Sequence, residues 1–249
     1  MTSESRSLHA ASRPFDFRLA IGVPVLLMLA LLASDVAVID LPLAHLFYVP
    51  GEGFIGRHSY WLETVLHERV KQAVLVFTLA LLVALIASLF SAAHRAWRRP
   101  LAYTVLTIAL CTGIVTPLKV VTDVQCPWSL QDFGASEPYV PLLGERVDSA
   151  KPGRCWPGGH ASTGFALLAL YFALRDRHPR AGRIACALAL SLGLLLSVGR
   201  MLQGAHFLSH NVWTLLIDWL IAVLCYRWLL YRPGPHGDAR APAPGHAAG

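Results

Sequence analysis

Long apolar runs constrain this chain more than any other feature. Hydrophobic residues make up 55% of it and charged residues only 14%, whereas an average soluble domain is about 25% charged. A helix needs roughly 20 apolar residues to cross about 30 Å of hydrocarbon at 1.5 Å per residue. The sequence therefore predicts an all-α, polytopic membrane protein whose single bundle has six transmembrane helices. The predicted spans, of which the fourth and fifth are the shortest, are residues 18–39, 72–93, 101–122, 160–175, 182–199 and 207–230.

The two ends of the chain differ from this apolar body. The first residues are polar, and the last ones are mostly Pro, Gly and Ala with few large apolar side chains. Segments of such composition cannot bury a core and are typical of disorder. We therefore expect a flexible N-terminus over residues 1–16, a six-span domain over residues 17–231 and a disordered tail over residues 232–249.

The positions of the basic residues predict which loops face the cytoplasm. With the N-terminus inside, the inner segments hold 13 of the 21 Lys and Arg residues, and the turns "HRAWRRP" and "RDRHPRAGR" are compact and strongly basic. Basic residues are retained on the cytoplasmic side, so we expect both termini to lie inside. This distribution also explains the net charge of +6. We therefore expect the phospholipid bilayer, and no nucleic acid, as the partner.

Two long segments then face outward, residues 40–71 and residues 118–160. In the first of them, apolar side chains recur at helical spacing, which predicts a short amphipathic helix on the membrane surface. These side chains are Trp61, Leu62, Val65 and Leu66.

Cations and histidines collect at the outer ends of the last four predicted spans. Polar groups at that depth are costly and usually face a shared cavity. Arg offers a phosphate a planar fork and Lys offers a point charge. One neutral histidine could attack phosphorus, and another could protonate the leaving oxygen. The set predicts a pocket for a phosphate group and comprises Lys119, Arg154, His160, Arg200, His206 and His210.

The stretch "CWPGGHAS" at residues 155–162 opens the fourth predicted span. The N–H groups of Gly158 and Gly159 could approach a phosphate closely, because neither residue has a Cβ, and a helix start adds the positive end of its dipole. This stretch is therefore predicted to form part of the phosphate pocket. Asp218, within the sixth span, is expected to face the bundle interior.

These residues resemble the motifs of the type 2 phosphatidic acid phosphatase superfamily, whose helical fold is shared with the vanadium haloperoxidases. The family motifs are K-x6-R-P, P-S-G-H and S-R-x5-H-x3-D, and this chain reads "KVVTDVQCP", "PGGH" and "GRMLQGAHFLSH" within residues 100–230. The resemblance implies that His206 is the nucleophile and His160 the general acid. It also implies that Lys119 and Arg200 bind phosphate, with no metal or other cofactor.

The function that the resemblance implies is phosphoryl transfer from a lipid phosphate or diphosphate through a phosphohistidine. The enzyme would be a phosphatase or phosphotransferase in a bacterial inner membrane, with its active site at the periplasmic face. The candidate substrates are undecaprenyl diphosphate, phosphatidic acid, phosphatidylglycerol phosphate and lipid A.

Four motif positions depart from the family pattern. Cys126 replaces an arginine, Gly158 and Gly199 replace serines, and His210 replaces the aspartate that orients the nucleophile. A neutral His210 can accept the same hydrogen bond but brings no negative charge. Three outcomes follow: activity is low, another acid such as Asp132 compensates, or the relay is altered. Arg154 is the candidate replacement for the missing arginine.

Two other classes of function stay open. A catalytically degenerate protein could bind lipid phosphate without turning it over, as the altered motif positions would favour. Alternatively, His160, His206 and His210 could hold zinc, although the charges of Lys119 and Arg200 would repel a metal ion.

The resemblance also implies a disulfide. It places Pro127 and Pro157, from the first and second motifs, beside one pocket. The neighbouring Cys126 and Cys155 are then expected within the roughly 4.4–6.8 Å between Cα atoms that a disulfide requires. The other cysteines lie within predicted spans, where they are expected to serve as packing residues; they are Cys111, Cys186 and Cys225.

Overall fold

The computed structural model describes residues 12–146 and 151–233, over which the protein is mostly helical. The predicted all-α class is confirmed except for one antiparallel hairpin, in which β1 (Tyr48–Val49) pairs with β2 (Gly53–Phe54). Most of the predicted flexible N-terminus and tail lies outside the described residues. The α-helices are α1 (Phe17–Ala33), α2 (Ala37–His45), α3 (Val70–Leu89), α4 (Arg98–Thr122), α5 (Gly159–Phe165), α6 (Leu168–Leu174), α7 (Pro179–Leu202) and α8 (Leu208–Leu229). A π-helix covers Trp61–Arg69, and 3₁₀ turns cover Ala92–Trp97, Pro127–Ser129 and Gln131–Phe133.

The described helices make this a multi-pass membrane protein, but six full spans are not confirmed. Four elements are long and apolar enough to cross a membrane. A fifth exists only if α1 and α2, which are bent by 82° at a short break, count as one broken span. The predicted span at 160–175 is α5 followed by α6, a shorter apolar stretch. The four elements are Trp61–Leu89, Ala92–Ser129, Pro179–Leu202 and Leu208–Leu229.

The bend between α1 and α2 has a local cause and a distant consequence. Ser34 is extended and ends α1, while Asp35 Oδ1 accepts a hydrogen bond from the Ala37 N–H at 3.1 Å at the start of α2. The bend directs α2 to the start of α8, where the buried Asp40 accepts hydrogen bonds from the Ser209 N–H at 3.0 Å and from the Ser209 hydroxyl. The first N–H groups of a helix lack partners within the helix. Asp40 therefore caps α8 from another element.

Residues 61–69 do not form the separate surface helix that their spacing predicts. They form the π-helix, which runs directly into α3 as one element, Trp61–Leu89. Leu62 and Leu66 pack on α7 beside Gly199, where an added Cβ would lie 2.7 Å from Leu66 Cδ2. This close packing of the π-helix on α7 places two of its polar side chains beside α5 and α7.

The centre of the bundle is closely packed. A Cβ added to Gly164 on α5 would lie 2.5 Å from the backbone nitrogen of Gly193 on α7, so these two helices meet backbone to backbone. On the other side of the bundle, Tyr103 and Tyr226 are fully buried. Asp218 is also fully buried, in agreement with its expected interior position.

The outer loop between α4 and α5 is fastened at several points. The Arg146 guanidinium donates to the carbonyl of Thr122 at 2.8 Å and to carbonyls within residues 140–142. The Cys155 N–H donates to the Val124 carbonyl at 3.0 Å. The Trp128 N–H donates to the Gly204 carbonyl at 2.9 Å, which joins the loop to the α7–α8 turn. These bonds hold the Cys155 backbone beside that turn.

Candidate active site

His206 lies in the turn between α7 and α8 and is 3% exposed. Gly204 takes a φ of +70° in this turn, a conformation that glycine adopts without strain. The His206 Nδ1 atom is 2.8 Å from the carbonyl oxygen of Cys155. A carbonyl can only accept, so Nδ1 carries the proton and Nε2 keeps its lone pair.

The protonation state of His206 suits a nucleophile. Burial, followed by the nearby positive charge of Lys119, lowers the pKa of His206 well below its ordinary value, because both disfavour the imidazolium form. The ring is therefore neutral at neutral pH. Together with the Cys155 contact, this makes Nε2 a free, uncharged nitrogen.

His210 does not take over the role of the family aspartate through a direct contact. The ring centroids of His206 and His210 are 6.0 Å apart, and the buried His210 Nδ1 has no hydrogen-bond partner among the described residues. Asp132 is exposed and, within the described residues, forms no ion pair with either histidine. The backbone carbonyl of Cys155 makes the orienting contact instead. Whether activity is low, another acid compensates or the relay is altered stays a prediction.

The glycines and His160 open α5, with Gly158 as the residue that precedes the helix. The Gly158 N–H donates to the His210 carbonyl at 3.3 Å, so this predicted phosphate donor already has a partner. The N–H groups of Gly159 and His160 lie in the first turn, where helices leave donors without internal partners. A Cβ added to Gly159 would lie 3.3 Å from Lys119 Nζ. The ammonium group of Lys119 therefore lies beside these N–H groups.

Arg200 sits near the end of α7 with its side chain 12% exposed. Its Nη1 donates to Gln203 Oε1 at 2.9 Å, and its guanidinium carbon lies 5.6 Å from the ring centroid of Trp128. Its Nε is buried without a hydrogen-bond partner in the described part of the chain. Arg200 thus keeps one donor free in a largely buried position, where an anion could accept from it.

Three polar residues that the motifs do not predict lie beside this site: Glu63, His67 and Gln203. The rings of His67 and His160 have centroids 3.8 Å apart. Glu63 Oε2 accepts from Gln203 Nε2 at 2.8 Å and from Arg200 Nη1 at 3.4 Å. Glu63 and His67 are four residues apart, a spacing that puts two side chains on one helix face. That spacing could have indicated them, but the sequence predicts an amphipathic helix on the membrane surface here rather than a segment packed in the bundle.

Arg154 is exposed, and over residues 12–146 and 151–233 no hydrogen bond or ion pair joins it to the other predicted site residues. Its role as a replacement for the motif arginine therefore stays a prediction. The structure does bring together Lys119, His160, Arg200 and His206.

Close packing accompanies two of the four departures from the family motifs, and the pairing of two cysteines accompanies a third. A Cβ added to Gly158 would lie 2.5 Å from Asn211 Oδ1, and one added to Gly199 would meet Leu66. A serine at either position would force a neighbour to move. Cys126 lies against Cys155 at the distance of a disulfide, with their Cα atoms 5.2 Å apart. The changed residues thus fit this fold locally.

A cavity of about 360 Å³ adjoins this region. His210 and Trp156 line it together with Tyr139 and Trp213, but none of the four clustered residues does. The cavity therefore adjoins the four clustered residues through His210 without being lined by them. Among the residues described, 12–146 and 151–233, no three His, Cys, Asp or Glu side chains are placed to hold a metal ion. The alternative of zinc held by His160, His206 and His210 is not supported by this arrangement.

The paired cysteines give the first prediction. We expect Cys126→Ser to lower the free energy of unfolding by about 3 to 4 kcal/mol, because the bond closes a loop with a sequence separation of 29 and restricts the unfolded chain. Activity should fall as well, because the Cys155 carbonyl that contacts His206 becomes less firmly held. Thermal unfolding measures the change in stability. Mass spectrometry of peptides prepared without reduction shows whether Cys126 and Cys155 are bonded in the parent protein.

Cys186→Ser is the matched control for this variant, since Cys186 is a free cysteine on α7. It should leave stability and activity close to the parent values. Free thiols at both Cys126 and Cys155 in protein taken from the membrane would contradict the pairing.

Comparison with known proteins agrees with the site. A family model described as the PAP2 superfamily matches residues 100–233, more than half of the chain. The matched region contains the three motifs and helices α5 to α8. No curated protein and no solved structure matches the chain. Asp40, Glu63 and His67 lie outside the matched region.

Proposed function

The chain belongs to the PAP2 superfamily, whose members hydrolyse phosphoesters, and we propose that it removes or transfers the phosphate of a membrane lipid phosphate or diphosphate. The observation that carries this proposal is the hydrogen bond from His206 Nδ1 to the Cys155 carbonyl. This bond leaves Nε2 as a neutral nucleophile beside Lys119, His160 and Arg200. The several apolar helices support a lipid as the substrate.

The first chemical step forms a phosphohistidine. Lys119, Arg200 and the N–H groups of Gly159 and His160 bind the phosphate oxygens and stabilise the charge of the transition state. The lone pair of His206 Nε2 forms a bond to phosphorus. The bond from phosphorus to the leaving oxygen breaks, that oxygen keeps the electron pair, and it takes a proton from His160.

The second step releases the phosphate. Water attacks phosphorus and gives a proton to His160, while the P–N bond breaks and its electron pair returns to Nε2. Each residue then has its starting protonation state. A lipid hydroxyl in place of water would receive the phosphoryl group, which makes the same site a phosphotransferase. The substrate candidates are undecaprenyl diphosphate, phosphatidic acid, phosphatidylglycerol phosphate and lipid A.

One experiment tests this proposal against its alternatives. The purified protein is assayed for phosphate release from the four candidate lipids with and without a chelator, and its bound metal is measured. Release that is insensitive to chelator supports the phosphohistidine mechanism. Lipid binding without turnover would indicate the degenerate binder, and loss of activity on chelation together with stoichiometric zinc would indicate a metalloenzyme.

We further propose that the site faces the periplasm of a bacterial inner membrane, with both termini in the cytoplasm. A reporter that works only in the cytoplasm should therefore be active when it is fused after Arg232. A cysteine placed at the exposed Ser136 should react with a membrane-impermeant reagent added from outside. The reverse labelling pattern would place the chemistry in the cytoplasm instead.

A further inference from the structure

We propose that Glu63 and His67 are positioning residues for the general acid His160: the His67 ring holds the His160 ring in place, and the Glu63 carboxylate favours its protonated form. The inference rests on the proposed function. It assigns a role to the π-helix Trp61–Arg69, which lies outside the region that the family model matches.

The two imidazole rings are in direct contact. Their centroids are 3.8 Å apart and their planes are inclined by 40°. The Nδ1 atoms of His67 and His160 are both buried and have no hydrogen-bond partner in residues 12–146 and 151–233. The orientation of the His160 ring is therefore not fixed by a hydrogen bond at Nδ1. The ring of His67 is the contact that restricts it.

The charges around His160 are mostly positive. Burial disfavours a proton on His160 most strongly, and the nearby charges of Arg200, Lys119 and Lys71 oppose it further. A proton on His160 is costly in such surroundings, because like charges repel it. Two carboxylates of the π-helix, Glu63 and Glu68, act on the neighbouring His67.

Glu63 is the carboxylate that the fold holds in place. Its Oε2 accepts from Gln203 at 2.8 Å and from Arg200 at 3.4 Å, and its Oε1 lies 3.6 Å from His67 Nδ1. One oxygen thus offsets the charge of Arg200, while the other lies beside His67, the ring that contacts His160. Glu63 and Glu68 are both exposed, but within the described part of the chain Glu68 forms no hydrogen bond with Arg200 or Gln203.

The proposed reaction requires His160 to begin with a proton, lose it to the leaving oxygen and regain it from water. Glu63 and His67 undergo no net change in this cycle. Removing the Glu63 charge should make the starting proton harder to hold. The defect should then appear as a pH effect and should grow as the leaving group becomes more basic.

The first test is the pH profile of kcat/KM for Glu63→Gln, measured with whichever candidate lipid gives the fastest phosphate release. At high pH, activity falls as His160 loses its proton. Loss of a neighbouring negative charge favours the neutral ring, so this limb should move to lower pH by about one unit. Glu68→Gln, which removes the same charge from the same π-helix, should move it much less. Glu63→Asp keeps the charge and should keep the limb near its parental position.

The second test compares substrates and ring variants. His67→Ala should slow the first step, measured in a single turnover, about tenfold on the lipid phosphate and little on 4-nitrophenyl phosphate, whose leaving group needs less proton transfer. His67→Phe keeps a ring against His160 and should restore most of the lost activity. Equal losses on both substrates, or a Phe variant no better than Ala, would overturn the role of His67.

The outcomes separate the two proposals. Suppose that the parent protein releases phosphate only when His206 is present, while the pH profile of kcat/KM for Glu63→Gln superimposes on that for Glu68→Gln. In that case the role of Glu63 in positioning His160 is wrong and the phosphatase function stands. If the parent protein releases no phosphate from any candidate lipid, the proposed function fails and the inference fails with it. Thermal unfolding of each variant identifies losses that come from misfolding.

Discussion

Replacing His206 with alanine is expected to abolish phosphate release, lowering kcat by about four to six orders of magnitude, as removal of an essential nucleophile does in other covalent mechanisms. The Cys155 carbonyl holds the neutral ring of His206, and the charges of Lys119 and Arg200 both act on that ring. The measurement is phosphate release from a lipid phosphate, together with the intact mass of enzyme quenched during turnover. The parent enzyme should show a phosphorylated species that the variant lacks.

His58→Ala is the control for this variant, because His58 is an exposed histidine of the predicted outer segment 40–71. It should retain parental activity. Substantial turnover by His206→Ala, with the protein still folded by thermal unfolding, would rule out the phosphohistidine mechanism.

Replacing His160 with alanine should have the second-largest effect, a loss of about 10² to 10⁴ in kcat on a lipid phosphate, the usual contribution of general acid catalysis. A lipid alkoxide is a poor leaving group and depends on the proton from His160. A diphosphate or 4-nitrophenyl phosphate needs less proton transfer, so its first step should be much less impaired. The second step should still be slow, because the same ring activates water.

This asymmetry predicts a burst. With 4-nitrophenyl phosphate, His160→Ala should release about one nitrophenol per enzyme rapidly and then turn over slowly while phosphorylated enzyme accumulates. Stopped-flow absorbance and intact mass would follow the two steps. Equal impairment on lipid phosphate and 4-nitrophenyl phosphate, without a burst, would mean that His160 does not serve as the acid.

The helical body of the fold could be predicted because each long apolar run has to satisfy its backbone hydrogen bonds within itself when it enters lipid. The break at residues 34–36 could not be predicted in the same way. The predicted span runs through Ser34 and Asp35 to residue 39, whereas α2 is held at its angle by the contact of Asp40 with Ser209, 169 residues later. Hydropathy carries no information about such a contact.

Much of the candidate site could also be predicted, because the motif spacing indicates Lys119, His160, Arg200 and His206 directly. The Cys155 carbonyl that contacts His206 could not be predicted. Every residue has a carbonyl, and the position of this one depends on how the loop folds. The partner of the Gly158 N–H depends on the tertiary fold in the same way. Glu63 and His67 were not predicted as part of the site, because a π-helix, rather than the expected surface helix, places them against α5 and α7.

The cap on α8 has a practical consequence for anyone building chimaeras. A chimaera that kept residues 100–233 and exchanged the preceding segments for an unrelated anchor would retain every family motif. It would lose the Asp40 carboxylate, and the Ser209 N–H and hydroxyl would be left without that acceptor in a buried position, at a cost of about 1–3 kcal/mol for each unpaired group. The working boundary for such a graft therefore lies before Asp40, and the first helices have to be transferred together with the motifs.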